Sequence, residues 1–129
     1  MIYVTDTHPL VWYFERNKAL SKKAESVFDS GELHIVVPSL VMIEVKFLIK
    51  KKRIKIVFDE INDVIADDPK FTIYPLDLQI IEKAPLNLNI HDAIICATAL
   101  VYRDVLNEDV CLITKDSEIK DSQLVEICW

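Results

Sequence analysis

Ile2-Tyr3-Val4-Thr5-Asp6-Thr7-His8-Pro9 is a short, mostly β-branched apolar run that stops on an acid and turns straight into a helix start. Such a run reads as a buried strand. Pro9 suits the first turn of the helix, predicted to continue through Phe14. Working outward, the same alternation recurs. Ser21 caps a helix carrying Ala24, Val27 and Phe28, ending at Gly31, and His34 to Val37 makes a second strand. Ser39 caps a helix from Leu40 to about Lys52, and an amphipathic stretch follows from Ile56 to Ile65. Phe71 to Tyr74 is a third strand, Asp77 to Ala84 a short helix and Ile90 to Tyr102 a longer one. Val110 to Thr114 is a fourth strand, and Leu124 to Cys128 reads as a fifth. Strands alternating with helices imply an α/β fold, a mostly parallel sheet of four to five strands with helices on both faces. Function in such folds collects beyond the carboxyl ends of the strands.

The chain has 129 residues, 51% of them hydrophobic, with one glycine and five prolines. That length suits one domain over residues 1–129 and allows a core without staples. No apolar run is long enough to span a bilayer, so no membrane association is expected. Nothing at the start resembles a signal peptide. Cys96, Cys111 and Cys128 are odd in number and widely spaced, and are expected as reduced core thiols of a cytoplasmic protein.

Four acids stand where a carboxylate needs a reason: Asp6 ending the first strand, Glu44 inside an apolar helix, Asp92 at a helix start and Asp116 after the fourth strand. Each has an ordinary alternative. Asp6 can cap a helix, Asp92 can favour a helix dipole, and Asp116 can serve a turn or helix start. Glu44 shares a helical face with Leu40 and Leu48, where an unpaired charge costs several kcal/mol unless an ion pair or a metal offsets it. Together the four would repel one another unless a cation sat among them. Oxygen-only ligands select Mg²⁺ or Mn²⁺ over zinc, and neither the histidines nor the cysteines show zinc spacing. Paired ions about 3.5–4 Å apart can activate water and stabilise a leaving oxygen in phosphodiester cleavage.

Net charge is −6, yet Lys46, Lys50, Lys51, Lys52, Arg53 and Lys55 fall in one ten-residue window. This tract reads as a solvated helix end or as a phosphate-binding track for RNA or DNA. Phe47 is its single aromatic, too few for an interleaved pattern, so base stacking is not indicated there. A phosphatase with a first-strand aspartate nucleophile is a rival class. It needs a second acid in the same loop, which Asp6-Thr7-His8 lacks.

These residues resemble a PIN-domain ribonuclease, specifically a VapC-type toxin of a toxin–antitoxin pair. Tyr3 to His8 with Trp12 is similar to the family's opening strand and helix, and Leu20-Ser21 with Ala24 to its second helix. Ser39 to Glu44, then Lys46, Arg53 and Ile54, resembles the helix of the second acid. His91-Asp92 with Ile94-Ile95 and Ala97 to Leu100 is the most specific match. Leu112 to Asp116 with Ile119, and Trp129, resemble the closing motif. Lys52 stands where the family often has glycine. The resemblance implies a three-layer PIN-like fold and a Mg²⁺- or Mn²⁺-dependent endoribonuclease. Asp6, Glu44, Asp92 and Asp116 would be the metal-binding and catalytic quartet, and Thr114 would orient Asp116 or a bound water. Lys46, Lys50, Lys51, Lys52 and Arg53 would hold RNA. It also implies a homodimer and an antitoxin partner. The alternative is a catalytically inactive PIN scaffold that binds RNA or protein.

Overall fold

The computed structural model describes residues 1–129. In chain order the elements are β1 (Ile2–Thr5), α1 (Thr7–Glu15), α2 (Lys22–Asp29), β2 (His34–Pro38), α3 (Ser39–Lys50) and α4 (Phe58–Asp67). They continue with β3 (Phe71–Tyr74), α5 (Leu78–Lys83), α6 (Ile90–Asp104), β4 (Val110–Ile113), α7 (Ser117–Ser122) and β5 (Ile127–Cys128). The five strands form one parallel sheet in the order β3-β2-β1-β4-β5, flanked by the seven helices. This is the predicted three-layer α/β architecture.

A parallel sheet covered on both faces must bury its central strands on both sides, and the apolar runs do so. Val4, Ile35, Val36, Val37, Leu112 and Ile113 are fully buried. Burying each such side chain contributes about 1.5–3 kcal/mol. The other large buried groups, Phe28, Leu10, Ile61 and Ile95, come from α2, α1, α4 and α6 and cover the sheet. No helix is long and apolar enough to cross a membrane. Cys96, Cys111 and Cys128 are all buried, and burial pushes the Cys96 thiol up to about 11 and the Cys111 thiol to about 12.

The sheet order sets the site. From β1 the chain moves outward through β2 and β3, then returns across the sheet to β4 on the other side of β1. The carboxyl ends of β1 and β4 therefore flank the point where strand order reverses, which leaves a crevice in open α/β sheets.

Three local expectations need correction. Pro38, not Ser39, occupies the N-cap of α3, and no side chain caps it. The Ser39 hydroxyl instead accepts from the Leu76 backbone N–H at 3.1 Å, tying α3 to the segment after β3. α3 also stops at Lys50, so Lys51, Lys52 and Arg53 form a turn rather than more helix. Lys52 sits at φ 58°, in the left-handed region that favours glycine. Finally, β5 is shorter than the predicted Leu124–Cys128 run and holds Ile127–Cys128 alone.

Candidate metal centre

Asp6 leaves the end of β1, its backbone N–H donating to the Ile113 carbonyl of β4 at 3.0 Å. Its carboxylate is held from two sides. Oδ1 accepts from the Thr7 N–H at 2.7 Å as the cap of α1, and Oδ2 accepts from the Thr114 hydroxyl at 2.6 Å. Thr114 is itself buried and also accepts from the Asp116 N–H at 3.1 Å. Asp116 caps α7, its Oδ1 accepting from the Ile119 N–H at 2.9 Å. The capping alternatives for Asp6 and Asp116 are thus real. Each cap uses one carboxylate oxygen.

Asp92 stands in the first turn of α6, and Asn89 holds it at both ends. The Asn89 side chain accepts from the Asp92 N–H at 3.1 Å and donates to Asp92 Oδ2 at 2.8 Å. Burial, then the Asp116 and Asp6 carboxylates, push the Asp92 carboxyl above its ordinary value, and the Asn89 bond opposes them. Glu118 adds a weaker push in the same direction. Mutual repulsion of this kind is the signature of acids brought together without compensation. Sequence reading missed Glu118, an exposed residue in the first turn of α7.

Glu44 is less buried than its apolar helix implies. Its side chain is 28% exposed, so the several-kcal/mol cost expected for a buried charge does not apply. Its partners come from α1 and α6, not from a lysine. The buried Thr7 hydroxyl donates to Oε1 at 3.1 Å, and His91 Nδ1 lies 3.7 Å from Oε2. Thr7 therefore touches two of the acids at once, Asp6 through its N–H and Glu44 through its hydroxyl. The predicted quartet shares one end of the sheet, but no three histidine, cysteine or acidic side chains close on a single point. The donor chemistry, carboxylates and hydroxyls with no thiolate, fits a hard divalent cation.

Comparison with known families decides the assignment: the model of the PIN domain matches residues 3–123. The chain belongs to the PIN-domain family. It joins a family of nucleases that generally use divalent metal ions. In fold it is similar to a chain of VapBC2 from Rickettsia felis, solved bound to a DNA fragment from its promoter. The two are 15% identical with a TM-score of 0.68, over 98% of this chain and 97% of the other. Curated protein sequences give no match.

The expected basic tract continues along α3 beyond Glu44 and into the turn that follows the helix. Lys46 and Lys50 are exposed on α3, with the Lys46 ammonium 5.1 Å above the Phe58 ring, and Lys51, Lys52 and Arg53 are exposed in the turn beyond. None of them pairs with the acids. A groove of about 750 Å³ beside α1 and α2 includes Tyr13, Arg16, Glu25 and Asp29 but none of the four acids.

Proposed function

We propose that this PIN domain, residues 1–129 acting as one unit, is a Mg²⁺- or Mn²⁺-dependent endoribonuclease and the toxin of a toxin–antitoxin pair. The observation that carries the reading is the hydrogen-bonded run Thr7–Asp6–Thr114–Asp116 at the strand-order reversal, near enough to Asp92 for both carboxylates to help raise it. Asp6, Asp92 and Asp116 would hold the cation, and Glu44 would reach it directly or through water. A cation bound there neutralises phosphate charge and acidifies a bound water.

The protein's own groups do the rest. Thr114 and the Thr7 N–H fix the two Asp6 oxygens, so that residue keeps one orientation. Asn89 fixes Asp92, and the Thr7 hydroxyl and His91 direct Glu44. Lys46, Lys50, Lys51, Lys52 and Arg53 supply phosphate contacts for RNA leading away from the acids. The likeness to a chain of VapBC2 supports an antitoxin partner, which would block the site, and the protein would assemble as a homodimer.

The test is cleavage of structured RNA by purified protein with Mn²⁺ or Mg²⁺, beside Asp6→Asn. Cleavage should require the ion, stop with a chelator and fall at least about a hundredfold in Asp6→Asn. The variant should keep its circular dichroism spectrum. Equal cleavage by Asp6→Asn, or cleavage indifferent to chelation, would refute the assignment. An inactive but RNA-binding protein would establish the scaffold alternative.

A further inference from the structure

A second cluster adjoins the acids, and three aromatic side chains from both ends of the chain line up in it. The ring centroids of His8 and Trp12 are 5.7 Å apart, and those of Trp12 and Trp129 are 5.9 Å apart. The Lys115 ammonium stands 6.0 Å from the Trp12 ring centroid. Beside Trp129 opens a cavity of about 190 Å³, lined by Thr114, Lys115, Asp116, Lys120, Ile127 and Trp129. Thr114 and Asp116 belong to the acidic site, so the cavity opens directly off it. Lys115 and Lys120 are both exposed.

We propose that this cavity is a subsite for one unpaired base of a single-stranded RNA, stacked against Trp129, with Lys115 and Lys120 neutralising the adjoining phosphate. The proposal rests on the nuclease reading and narrows its substrate to strands with an exposed base next to the scissile bond. A stacked, paired base has both faces covered by its neighbours, so only an unpaired one can offer a face to an indole. Aromatic rings beside cations are the combination that holds single strands without reading their sequence. A free anion would need the lysines but not the indole, and an apolar peptide the indole but not the lysines. The lysines also answer a specific difficulty, since phosphate must approach Asp116 and its neighbours. The Lys46–Arg53 tract has the exposed Phe47 and the Phe58 ring beside Lys46, but no indole, and no residue of it lines this cavity.

The chain has two tryptophans, so Trp12→Phe leaves Trp129 as the sole indole emitter. Titration of that variant with a short single-stranded oligoribonucleotide in chelator should quench the emission in step with the anisotropy of the labelled strand. In the wild-type background, Trp129→Leu should weaken single-strand binding about tenfold, while Trp129→Phe stays within about twofold. Binding of the fully paired duplex should be unchanged by Trp129→Leu. Thermal melts identify a variant that has merely unfolded, and Trp129→Phe then carries the comparison.

Single-strand affinity untouched by Trp129→Leu, or binding without any change in Trp129 emission, overturns the proposal. So does an equal loss for single strand and duplex, or no binding at all. A wild-type protein that quenches and discriminates in this way but cuts no RNA removes the nuclease reading and leaves the subsite standing.

Discussion

The Thr7 hydroxyl donates to Glu44 Oε1 at 3.1 Å while the Thr7 N–H donates to Asp6 Oδ1 at 2.7 Å, so one buried residue sets two carboxylates. Thr114 links Asp6 to Asp116 differently: its hydroxyl donates to Asp6 Oδ2 and accepts from the Asp116 backbone N–H. A continuous chain of hydrogen bonds therefore runs Glu44–Thr7–Asp6–Thr114–Asp116. The Glu44 and Asp6 carboxylates are thus oriented by two threonines whose side chains carry no charge, and Thr114 fixes the Asp116 backbone.

Thr7→Val keeps the shape and the N–H but removes the bond to Glu44. Partners that orient ligands typically change metal affinity by about 10–100-fold when removed. Because Glu44 is partly exposed, the low end applies, and Mn²⁺ affinity measured by calorimetry should fall about tenfold. Thr7→Ser should restore it. Unaltered affinity in Thr7→Val would show that Glu44 needs no such support.

Asp92 gives a pH dependence with a definite sign. Its carboxyl is raised in the folded protein, chiefly by burial and then by Asp116 and Asp6. Between its ordinary value near 3.8 and the raised one, the folded state holds more protons than the unfolded state. Stability of the metal-free protein should therefore fall as pH climbs through that window, as far as Asp92 contributes. Asp92→Asn should flatten this part of the profile and raise the melting temperature of the metal-free protein at neutral pH. Added Mg²⁺ should stabilise the wild type by binding the folded state and do much less for the variant. Melting curves with and without Mg²⁺ check both statements. A steeper profile in Asp92→Asn would contradict the assignment of the repulsion.

Charge reversal at Lys50, Lys51 and Lys52 tests the exposed tract. If each lysine neutralises one phosphate, the slope of log affinity against log salt should shrink by about 0.7 for every phosphate that is no longer neutralised. KM for RNA should rise more than kcat falls, because the tract stands apart from the acids. A slope identical to wild type would remove the tract from the RNA path.

Lys52→Gly addresses the turn after α3. A side chain held in the left-handed region costs about 1–2 kcal/mol, against which glycine loses about 0.5–1 kcal/mol of extra chain entropy. The variant should gain about 0.5–1 kcal/mol in denaturant unfolding. A drop in stability would mean that the Lys52 side chain holds the turn.

Much of this was legible beforehand because strand and helix signals here are local. Ile2–Thr5 runs straight into Asp6 and Val110–Ile113 is followed within three residues by Asp116, and that pairing of pattern and charge placed both acids beyond the strand ends. What stayed hidden depended on residues meeting across the fold. Thr7 reads as an ordinary helix-start residue until α1 packs against α3 and its hydroxyl meets Glu44. The partial exposure of Glu44 could not be read from its apolar neighbours, because helical spacing gives a face but not what covers it. Trp12 and Trp129 stand far apart in the sequence, so no spacing rule joins them to Lys115.

The central strand also precedes the other four in chain order. β1 pairs along its whole length with β4, which follows it by more than a hundred residues, and Asp6 hangs from the Ile113 carbonyl. A ribosome that has released Asp6, Glu44 and Asp92 has still not released the strand against which Asp6 is aligned. The backbone alignment of Asp6 is therefore completed only after β4 has been synthesised.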